Sequence, residues 1–349
     1  MKKIFLLFCL FIFLGKCIPQ DSSEVKFRSE EISIKAGKFF IKENLLTPEE
    51  GDNFPVVVFC AGSGPTDRMQ SIKYSRSLRQ FIKSGFAFFI DDKPGSGEST
   101  GEFSDDSLFH ERAMILAKEI EILKKHKSIN PKQIGLYGSS QGGYVMSLAL
   151  SMSNDIAFMV AWSCPGMNSI EQSAYLVKKQ ALCAGSSQED AEMLYKYYIQ
   201  RSAAKTYKEY LEAAEYLDKH PVIIDLGWGG VCSEKEFEPI TNSSESFLNP
   251  ADYIGKTNIP VLAIFGEKDT QIDPVQGAES YESGLKANGN KFYKVVTIPG
   301  VDHNMCITKT GSLKEQAENN KAGTTKLSRK FIETIGSWLG ELKIYLGIK

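Results

Sequence analysis

Histidine is scarce in this chain, and no group of residues has the spacing of a metal site. Only four histidines occur among 349 residues, so a mechanism that needs a histidine base has four candidates. The glycine-rich stretches match neither a Walker motif nor a G-x-G-x-x-G dinucleotide loop, which argues against nucleotide binding. We therefore predict an activity that uses neither a metal nor a cofactor.

The chain also lacks an excess of charge of either sign. Its 41 basic and 43 acidic residues leave a net charge of -2 at pH 7, which gives no indication of a nucleic-acid partner. No internal repeat or long low-complexity run interrupts a composition that is 42% hydrophobic. These values are typical of a globular enzyme with a sizeable core, and a small molecule is the expected partner.

The apolar run at the N-terminus is too short to serve comfortably as a membrane span. Ile4–Leu14 follows a positively charged start, the pattern of a secretory signal peptide over residues 1–17. Cleavage after Cys17 is one alternative. The other is lipidation of Cys17, although Lys16 is a poor match to the small residue expected before a lipidated cysteine. We expect an exported protein, periplasmic or secreted, that is membrane-bound only if Cys17 carries a lipid.

Cysteine is sparse, with seven residues of which two fall in the predicted leader. Five remain, an odd number that leaves at least one free thiol if the others pair within the chain. Cys60, Cys164 and Cys306 fall at strand ends or in a loop and are most simply small buried hydrophobic residues. A disulfide between Cys183 and Cys232 stays open as an alternative in an oxidising compartment.

A serine motif follows the first third of the chain. Gly138-Ser139-Ser140-Gln141-Gly142 fits G-x-S-x-G, the nucleophile elbow in which a strand turns sharply into a helix. The segment Lys132–Tyr137 predicts a short buried strand, and Gly142–Met152 predicts a helix. The two glycines fit because a Cβ beside the turn would collide with the neighbouring strand or helix. We therefore identify Ser140 as the candidate nucleophile.

A serine nucleophile needs a base, and the four histidines limit the choice. His303 follows the apolar run Phe292–Ile298 and a Pro-Gly turn, which places it on a loop beyond a strand end, where open α/β sheets collect their chemistry. His110 and His126 flank a charged helical stretch and are most simply solvent-facing. His220 precedes a proline at the end of a helical run, where a positive charge suits the helix dipole. His303 is the predicted base.

The acid that orients this base is predicted to be Asp269, because it lies in the loop after the apolar strand Val261–Phe265. Asp273 is the alternative. Asp302 adjoins His303, but neighbouring residues on an extended loop tend to point apart, so we interpret Asp302 as a surface or loop-bracing carboxylate. The chain order serine, aspartate, histidine is expected on one known scaffold and not on the two main serine protease scaffolds.

An oxyanion hole, formed by backbone N–H groups aimed at the developing negative charge, completes such a site. The strand Phe54–Cys60 ends in Ala61-Gly62-Ser63-Gly64-Pro65, small residues that let the backbone approach a substrate. We assign one donor to the N–H of Gln141, which follows the nucleophile, and the other to the N–H of Ser63. A glycine-rich turn without a ligand is the alternative.

These segments resemble the α/β-hydrolase superfamily, and more narrowly a group of bacterial serine esterases and S9/S33 peptidase-like hydrolases. Gly62–Arg68 matches that group's G-S-G-P-x-D-R segment. Asp91–Ser99 is similar to its Y-D-K-R-G-x-G-x-S-like segment, with Pro94 in place of the usual arginine. Gly266–Asp269 and Gly300–His303 resemble its acid and histidine segments. The resemblance implies a Ser-His-Asp hydrolase and is much less specific for substrate.

Strands and helices alternate along most of the chain, which predicts a doubly wound, mostly parallel α/β sheet, the α/β-hydrolase fold. The core is predicted over residues 24–164 and 251–349. Its expected strands are two or three within Glu24–Leu46, then Phe54–Cys60, Phe86–Ile90, Lys132–Tyr137, Ile156–Trp162, Val261–Phe265 and Phe292–Ile298. Its expected helices are Tyr74–Lys83, Asp105–Lys127, Gly142–Met152, Pro274–Ala287 and Lys326–Leu346.

The alternation stops over residues 165–250. Two long helical stretches, Ser169–Ala184 and Gln188–Lys219, predict a helical lid inserted into the core. Its tyrosines are most simply packing residues, although some could line an acyl or leaving-group pocket. Trp228, which lies between two glycines, is the preferred pocket candidate.

The sequence therefore predicts a secreted serine hydrolase that cleaves carboxylic esters through an acyl-enzyme on Ser140. Two alternatives stay open. An aminopeptidase or dipeptidyl-peptidase-like enzyme would need groups that hold a free amine. Glu189, Asp190 and Glu192 are acidic residues of the predicted lid, on a helix that could simply be solvated. A non-catalytic binding protein on a hydrolase scaffold is the other alternative, which the complete set of serine, acid and histidine disfavours.

Overall fold

The computed structural model describes residues 25–103, 109–239 and 245–348, so the predicted leader with Cys9 and Cys17 lies outside the described residues. Within these ranges the chain forms eight strands. They are β1 Phe27–Ala36, β2 Phe39–Pro48, β3 Phe54–Cys60, β4 Ala87–Asp91, β5 Ile129–Ser139, β6 Phe158–Trp162, β7 Val261–Gly266 and β8 Tyr293–Ile298. All eight belong to one sheet, in the order β1-β2-β4-β3-β5-β6-β7-β8.

Twelve α-helices lie in the same described ranges. They are α1 Arg68–Tyr74, α2 Arg76–Lys83, α3 Phe109–Leu123, α4 Gly142–Met152, α5 Ser169–Cys183, α6 Gln188–Ala203, α7 Tyr207–Leu217, α8 Pro221–Asp225, α9 Ala251–Ile254, α10 Pro274–Ala287, α11 Leu313–Ala322 and α12 Arg329–Leu346. A 3-10 turn occupies Glu245–Phe247. Among these described helices, none is both long enough and apolar enough to span a membrane.

The sheet is mostly parallel, as the alternation of strands and helices predicts. Six strands, from β4 through β3, β5, β6 and β7 to β8, pair in parallel, and the hairpin of β1 and β2 adds to β4 in the antiparallel sense. Every residue of β7 is buried, because a parallel strand between two neighbours is covered on both faces of the sheet. The carboxyl ends of the parallel strands meet at one edge of the sheet, and the loops that follow them are neighbours there.

Helices cover both faces of the sheet. On one face, α3, α4 and α10 contribute Ile120, Val145 and Leu285 to a buried hydrophobic cluster. On the other face, α2 and α12 contribute Phe81 and Trp338 to a second cluster. This two-sided covering is the doubly wound arrangement, so the predicted fold class is confirmed.

The helical insertion, which we define as residues 165–250 between β6 and β7, has a hydrophobic cluster of its own. Helices α5, α6, α7 and α8 contribute Leu176, Leu194, Leu217 and Ile223 to it. The four helices therefore pack against one another, and the described side chains of the sheet do not contribute to this cluster.

The prediction of one helix over Gln188–Lys219 is wrong, because two helices occupy this segment and break at residues 204–206. The Thr206 hydroxyl accepts the N–H of Glu209, and the Glu209 carboxylate accepts the N–H of Thr206. This capping box stabilises a new helix start. Helix α11 has no counterpart among the predicted helices, because none of its residues is buried and no apolar stripe marks it.

The histidines outside the predicted site make structural contacts. His220 does not lie at the C-terminus of a helix, as predicted, but is the N-cap of α8, and its Nε2 lies 3.0 Å from a carboxylate oxygen of Asp190. His126 is only partly exposed and lies 3.3 Å from Glu30, whereas His110 is exposed as expected.

The five described cysteines are free thiols. Cys60, Cys164 and Cys306 are buried, as the sequence predicts, and behave as small hydrophobic residues. Cys183 and Cys232 are also free, so the disulfide considered between them is not formed.

Candidate active site

Strand β5 runs almost directly into α4 through Ser140, whose φ of 51° lies in the left-handed region. A non-glycine residue is strained there, and such strain is characteristic of functional sites. A Cβ on Gly142 would lie 2.2 Å from the carbonyl oxygen of Cys60. A Cβ on Gly138 would lie 2.7 Å from the Met146 side chain. The turn therefore has the backbone geometry and the glycines of a nucleophile elbow.

The structure brings Asp269 and His303 together. His303 Nδ1 lies 2.9 Å from Asp269 Oδ2, and the two residues are only 3% and 2% exposed. The other carboxylate oxygen of Asp269 accepts the N–H groups of Gln271 and Ile272. The loop after β7 thus holds the carboxylate with its own backbone. A hydrogen bond at Nδ1 leaves Nε2 as the nitrogen that can take a proton from a serine.

Two opposing effects act on the His303 imidazole. Burial lowers its pKa because it penalises the charged form, whereas the charge of Asp269 and the hydrogen bond to it raise the pKa. The net pKa lies above the ordinary value of 6.5. Asp269 therefore stabilises the imidazolium that forms when His303 accepts a proton, which suits a general base that works near neutral pH.

The neighbouring acids have structural contacts. Asp273, the alternative to Asp269, is the N-cap of α10 and accepts two N–H groups of that helix's first turn. Asp302 accepts the N–H groups of Asn304 and Cys306, so it braces the histidine loop as predicted. It is only 4% exposed and is not a surface residue, and burial raises its pKa to about 6.

Ser163 connects the histidine loop to the strand ends and has no place in the sequence prediction. It follows β6 with a φ of 46°, and its N–H donates to the carbonyl of Ile264. Its hydroxyl donates to the carbonyl of His303 at 2.8 Å. The N–H of Ser140 donates to the carbonyl of the preceding Trp162 at 3.3 Å. These hydrogen bonds join the loops after β5, β6 and β8 to one another. Ser163 does not belong to any sequence motif that would predict this contact.

The segments that carry the predicted oxyanion donors, Ser63 and Gln141, meet at Ser140. A Cβ built on Gly62 would lie 3.0 Å from the Cβ of Ser140, so the loop after β3 passes directly against the candidate nucleophile. Gln141 immediately precedes α4, and the N-terminus of a helix favours negative charge. The structure therefore places both donor-bearing segments around the same serine.

Arg112 of α3 ties these two segments together. Its guanidinium donates to Gln141 Oε1 at 2.8 Å and to the carbonyl of Ala61 at 2.6 Å. Nothing in the sequence identifies Arg112 as part of the site, because it stands in a charged helical stretch whose pattern does not show that this side chain faces the core. Pro94, which replaces the usual arginine, lines a small cavity together with Arg112 and Cys60.

Two segments of the family resemblance meet in a buried ion pair. Arg68, from the G-S-G-P-x-D-R segment, is bonded to Asp92 of the segment after β4. Its guanidinium also donates to Asn44 Oδ1 at 2.8 Å and to Glu98 Oε2 at 2.6 Å. Asp92 accepts the backbone N–H groups of Arg68 and Glu98 as well. These contacts fix the loop after β3 to the loop after β4.

Lys93 follows Asp92 and lies beneath the loop after β3. It is 3% exposed, and its ammonium donates to the carbonyl oxygens of Gly62 and Gly64. Lys93 belongs to the segment that resembles the family, and no feature of the sequence indicates its contact with these two carbonyl oxygens.

Trp228, the predicted pocket residue, packs inside the helical insertion. Its ring centroid lies 5.6 Å from that of Tyr198, and its carbonyl accepts a hydrogen bond from Arg201. Its burial is explained by these packing contacts, and a role in a substrate pocket stays a prediction.

Two of the three acids considered for amine binding are engaged within the insertion. Asp190 contacts His220, and Glu192 lies 2.5 Å from the ammonium of Lys178. Glu189 is exposed in the first turn of α6. Within the described ranges, no group of histidine, cysteine, aspartate and glutamate side chains has a geometry that could hold a metal ion.

One protein family matches most of the chain, including the segments that contain Ser140 and Asp269. A family described as X-Pro dipeptidyl-peptidase (S15 family) matches residues 39–297, about three quarters of the chain. The chain belongs to this family. As a member of the S15 family it is a hydrolase with the α/β-hydrolase fold, and the matched range contains Ser140 and Asp269. No curated protein sequence matches the chain significantly.

Solved structures with the same fold include an esterase and a peptidase. An esterase from Pyrococcus furiosus is 15% identical, with a TM-score of 0.53 over 93% of this chain and 94% of its own. DcsB, solved with a substrate analogue, is 16% identical, with a TM-score of 0.53 over 90% of this chain and 99% of its own. An acylaminoacyl peptidase from Pyrococcus horikoshii is 17% identical, with a TM-score of 0.51 over 86% of this chain and 41% of its own. At such identities the similarity shows the fold alone.

Proposed function

We propose that this S15 family member is a serine hydrolase that cleaves carboxylic esters. Ser140 is the nucleophile, His303 is the base, and Asp269 orients the base. The observation that supports the proposal most is the 2.9 Å hydrogen bond between buried His303 and Asp269, on the sheet edge that carries the strained Ser140. A serine hydroxyl is a poor nucleophile until a base so oriented removes its proton.

In the proposed reaction, Nε2 of His303 takes the proton of Ser140 as Oγ attacks the ester carbonyl carbon. The carbonyl oxygen becomes negative and accepts hydrogen bonds from the N–H groups of Ser63 and Gln141. The tetrahedral intermediate collapses, the imidazolium protonates the departing alkoxide, and the acyl group stays on Ser140. A water molecule that His303 deprotonates then attacks the acyl carbonyl. The bond from the acyl carbon to Ser140 Oγ breaks as the imidazolium returns the proton to Oγ, and the carboxylic acid is released.

The serine mechanism predicts that Ser140→Ala lowers kcat for p-nitrophenyl butyrate by about a million-fold, because a serine triad that loses its nucleophile generally loses about that much. The matched control is Ser151→Ala, which removes an exposed hydroxyl from the last turn of α4. We expect wild-type kcat for the control. A folded Ser140→Ala protein that still hydrolyses the ester at the wild-type rate would rule out the mechanism.

A peptidase that releases dipeptides or single amino acids is the second candidate, and the description of the S15 family favours it. Such an enzyme needs groups near the serine that hold the free amine of the substrate. Asp190 and Glu192 are already engaged with His220 and Lys178 in the insertion, which weakens their candidacy for that role. The comparison of kcat/KM for p-nitrophenyl butyrate with that for aminoacyl and X-Pro p-nitroanilides separates the two functions.

A binding protein on a hydrolase scaffold is the alternative to both enzymes. A fluorophosphonate probe distinguishes it, because the probe labels only a serine that has been activated as a nucleophile. We expect labelling of wild-type protein and none of Ser140→Ala. Folded wild-type protein that stays unlabelled would favour the binding protein.

Export is proposed from the N-terminal pattern alone. Residues 1–17 act as a signal peptide, and the mature protein reaches the periplasm or the medium. Radiolabelled palmitate given to cells distinguishes the two forms of the leader. Palmitate incorporated into the full-length protein but not into a Cys17→Ala variant would show a lipid anchor. If the full-length protein stays unlabelled while a lipoprotein control is labelled, the leader is simply cleaved.

A further inference from the structure

The loop after β3 is held from its buried side by Lys93. The ammonium of Lys93 donates to the carbonyl of Gly62 and, at 2.6 Å, to the carbonyl of Gly64. The transfer of an ammonium from water into a protein interior is costly unless hydrogen bonds replace those to water. Two carbonyl acceptors on one short loop therefore fix where this side chain and that loop lie relative to each other.

The bond to Gly62 also fixes the direction of a neighbouring donor. The carbonyl of Gly62 and the N–H of Ser63 belong to one peptide unit, and no peptide bond in the described residues is cis. In a trans peptide unit the C=O and the N–H point in opposite directions. Because Lys93 holds the carbonyl oxygen on the buried side, the N–H of Ser63 points away from Lys93.

The same loop lies against the nucleophile. A Cβ built on Gly62 would lie 3.0 Å from the Cβ of Ser140, so the peptide unit that Lys93 holds is adjacent to the reacting serine. The preceding carbonyl, that of Ala61, accepts a 2.6 Å hydrogen bond from Arg112. Two buried cations thus set the orientation of two successive peptide units beside Ser140.

We propose that Lys93 is a positioning residue for the oxyanion hole, which aims the N–H of Ser63 at the negative oxygen formed during attack by Ser140. The inference rests on the proposed serine mechanism. Lys93 acts through the Gly62–Ser63 peptide unit and does not touch the substrate. Its positive charge on the carbonyl side also polarises that peptide unit, which makes the N–H a stronger donor.

Lys93→Met tests the proposal, because methionine fills a similar space without a charge or a donor. Rates are expressed per active site titrated with the fluorophosphonate, so that a smaller folded fraction does not lower them. We expect kcat for p-nitrophenyl butyrate to fall about 100-fold, the low end of what the loss of one oxyanion donor costs, with KM within about threefold. A trifluoromethyl ketone, which forms an oxyanion on the serine, should bind more weakly by a similar factor.

Arg79→Met is the matched control, because Arg79 also donates to two backbone carbonyls, those of Lys73 and Ser75, outside the site. We expect wild-type kcat and ketone affinity for this variant. Lys93→Gln keeps one neutral donor and should show a smaller loss in the same direction. It decides the question if Lys93→Met does not fold. The proposal is overturned if either Lys93 variant has the wild-type kcat per titrated site and the wild-type affinity for the ketone, and differs from the wild type only in a lower melting temperature.

Failure of the serine mechanism has a different signature. It would appear as wild-type protein that the fluorophosphonate does not label, or as undiminished hydrolysis by Ser140→Ala, whatever happens in the Lys93 variants. Wild-type protein labelled at Ser140, together with Lys93 variants at full turnover, would retain the serine mechanism and remove only the role of Lys93.

Discussion

Asp269 and Asp273 show how two identical side chains four residues apart acquire different roles. Asp269 lies where the chain leaves β7, so its carboxylate can reach His303 while backbone N–H groups hold its second oxygen. Asp273 stands one residue before α10 and satisfies the donors at the start of that helix. The position of each residue relative to an element end determines what its carboxylate bonds to.

Asp269→Asn should lower kcat and shift the acid limb of the pH profile. Without the carboxylate, burial is the dominant effect on His303, and burial lowers its pKa. The imidazole must be neutral to act as a base, so kcat/KM should increase as the pH passes the pKa of His303. We expect this increase above pH 6.5 in the wild type and at a lower pH in Asp269→Asn. We expect kcat to fall by about 10⁴-fold, because the amide favours the wrong tautomer of the histidine.

The control for this prediction is Asp273→Asn, the same chemical change in the same loop. It should leave the acid limb where it is in the wild type, because Asp273 caps α10. A titration of kcat/KM between pH 5 and 9 with a neutral ester measures both variants. An acid limb that stays unshifted in Asp269→Asn would contradict the pairing of this carboxylate with His303 as the proposed base.

The site residues that can be predicted are marked by the residues next to them in the sequence. The site residues that cannot be predicted depend on contacts with residues far away in the sequence. Ser140 stands in a five-residue motif, and Asp269 and His303 each follow an apolar strand, so their candidacy is visible along the chain. The roles of Arg112 and Lys93 depend on carbonyl oxygens that lie 51 and 31 residues away in the sequence. No pattern of residue types shows which distant carbonyl a buried cation will meet.

The same distinction holds for helices and strands. The predicted bounds of Phe54–Cys60, Gly142–Met152 and Pro274–Ala287 agree with the structure, because apolar runs and glycine or proline residues mark their ends. The break between α6 and α7 is not visible in the composition, because the residues on both sides are similarly typical of helices. Only the pairing of Thr206 with Glu209 marks it. Helix α11 lacks buried residues and therefore the apolar periodicity on which sequence prediction depends.

Helix α5 is anchored to the loop that carries Asp269. The hydroxyl of Tyr175 donates to the carbonyl of Asp269 at 2.9 Å, and the side chains of Gln172 and Gln180 donate to Gln271 and Thr270, each at 2.8 Å. These hydrogen bonds fix α5 to the loop of Asp269, whereas α7 and α8 pack against α5 and α6 in the hydrophobic cluster that the four helices share. Hydrogen exchange should show slower exchange for the amides of α5 than for those of α7 and α8.

Tyr175→Phe tests this anchoring. It removes the donor from a buried carbonyl and should cost about 1 to 3 kcal/mol of stability, with faster amide exchange in α5 and in the loop of Asp269. Tyr210→Phe is the control, because the Tyr210 hydroxyl accepts the N–H of Cys232 elsewhere in the insertion. It should leave exchange in α5 unchanged. Equal exchange in α5 of wild type and Tyr175→Phe would mean that this hydroxyl does not hold the helix.

Three carboxyl groups from three elements of the core lie close together, and two of them form a buried pair. Glu43 of β2 is fully buried against Glu119 of α3, and Asp91 at the end of β4 lies nearby. Burial and the carboxylate of Asp91 raise the pKa of Glu43 to about 9, and burial raises the pKa of Glu119 well above its usual range. The folded protein therefore keeps protons on this pair at pH values where an unfolded chain has released them.

This difference in proton binding predicts that the protein loses stability as pH rises. A glutamate of the unfolded chain ionises near pH 4.5, whereas Glu43 in the folded protein keeps its proton up to about pH 9. The contribution of Glu43 to the free energy of unfolding is therefore complete below pH 4.5. It declines as the pH rises from 4.5 to about 9. Glu43→Gln, which cannot ionise, should flatten the decline. Urea unfolding at pH 5, 7 and 8.5 measures it, with exposed Glu282→Gln as the control that keeps the wild-type slope. A Glu43→Gln variant with the wild-type slope would show that this carboxyl does not set the pH dependence.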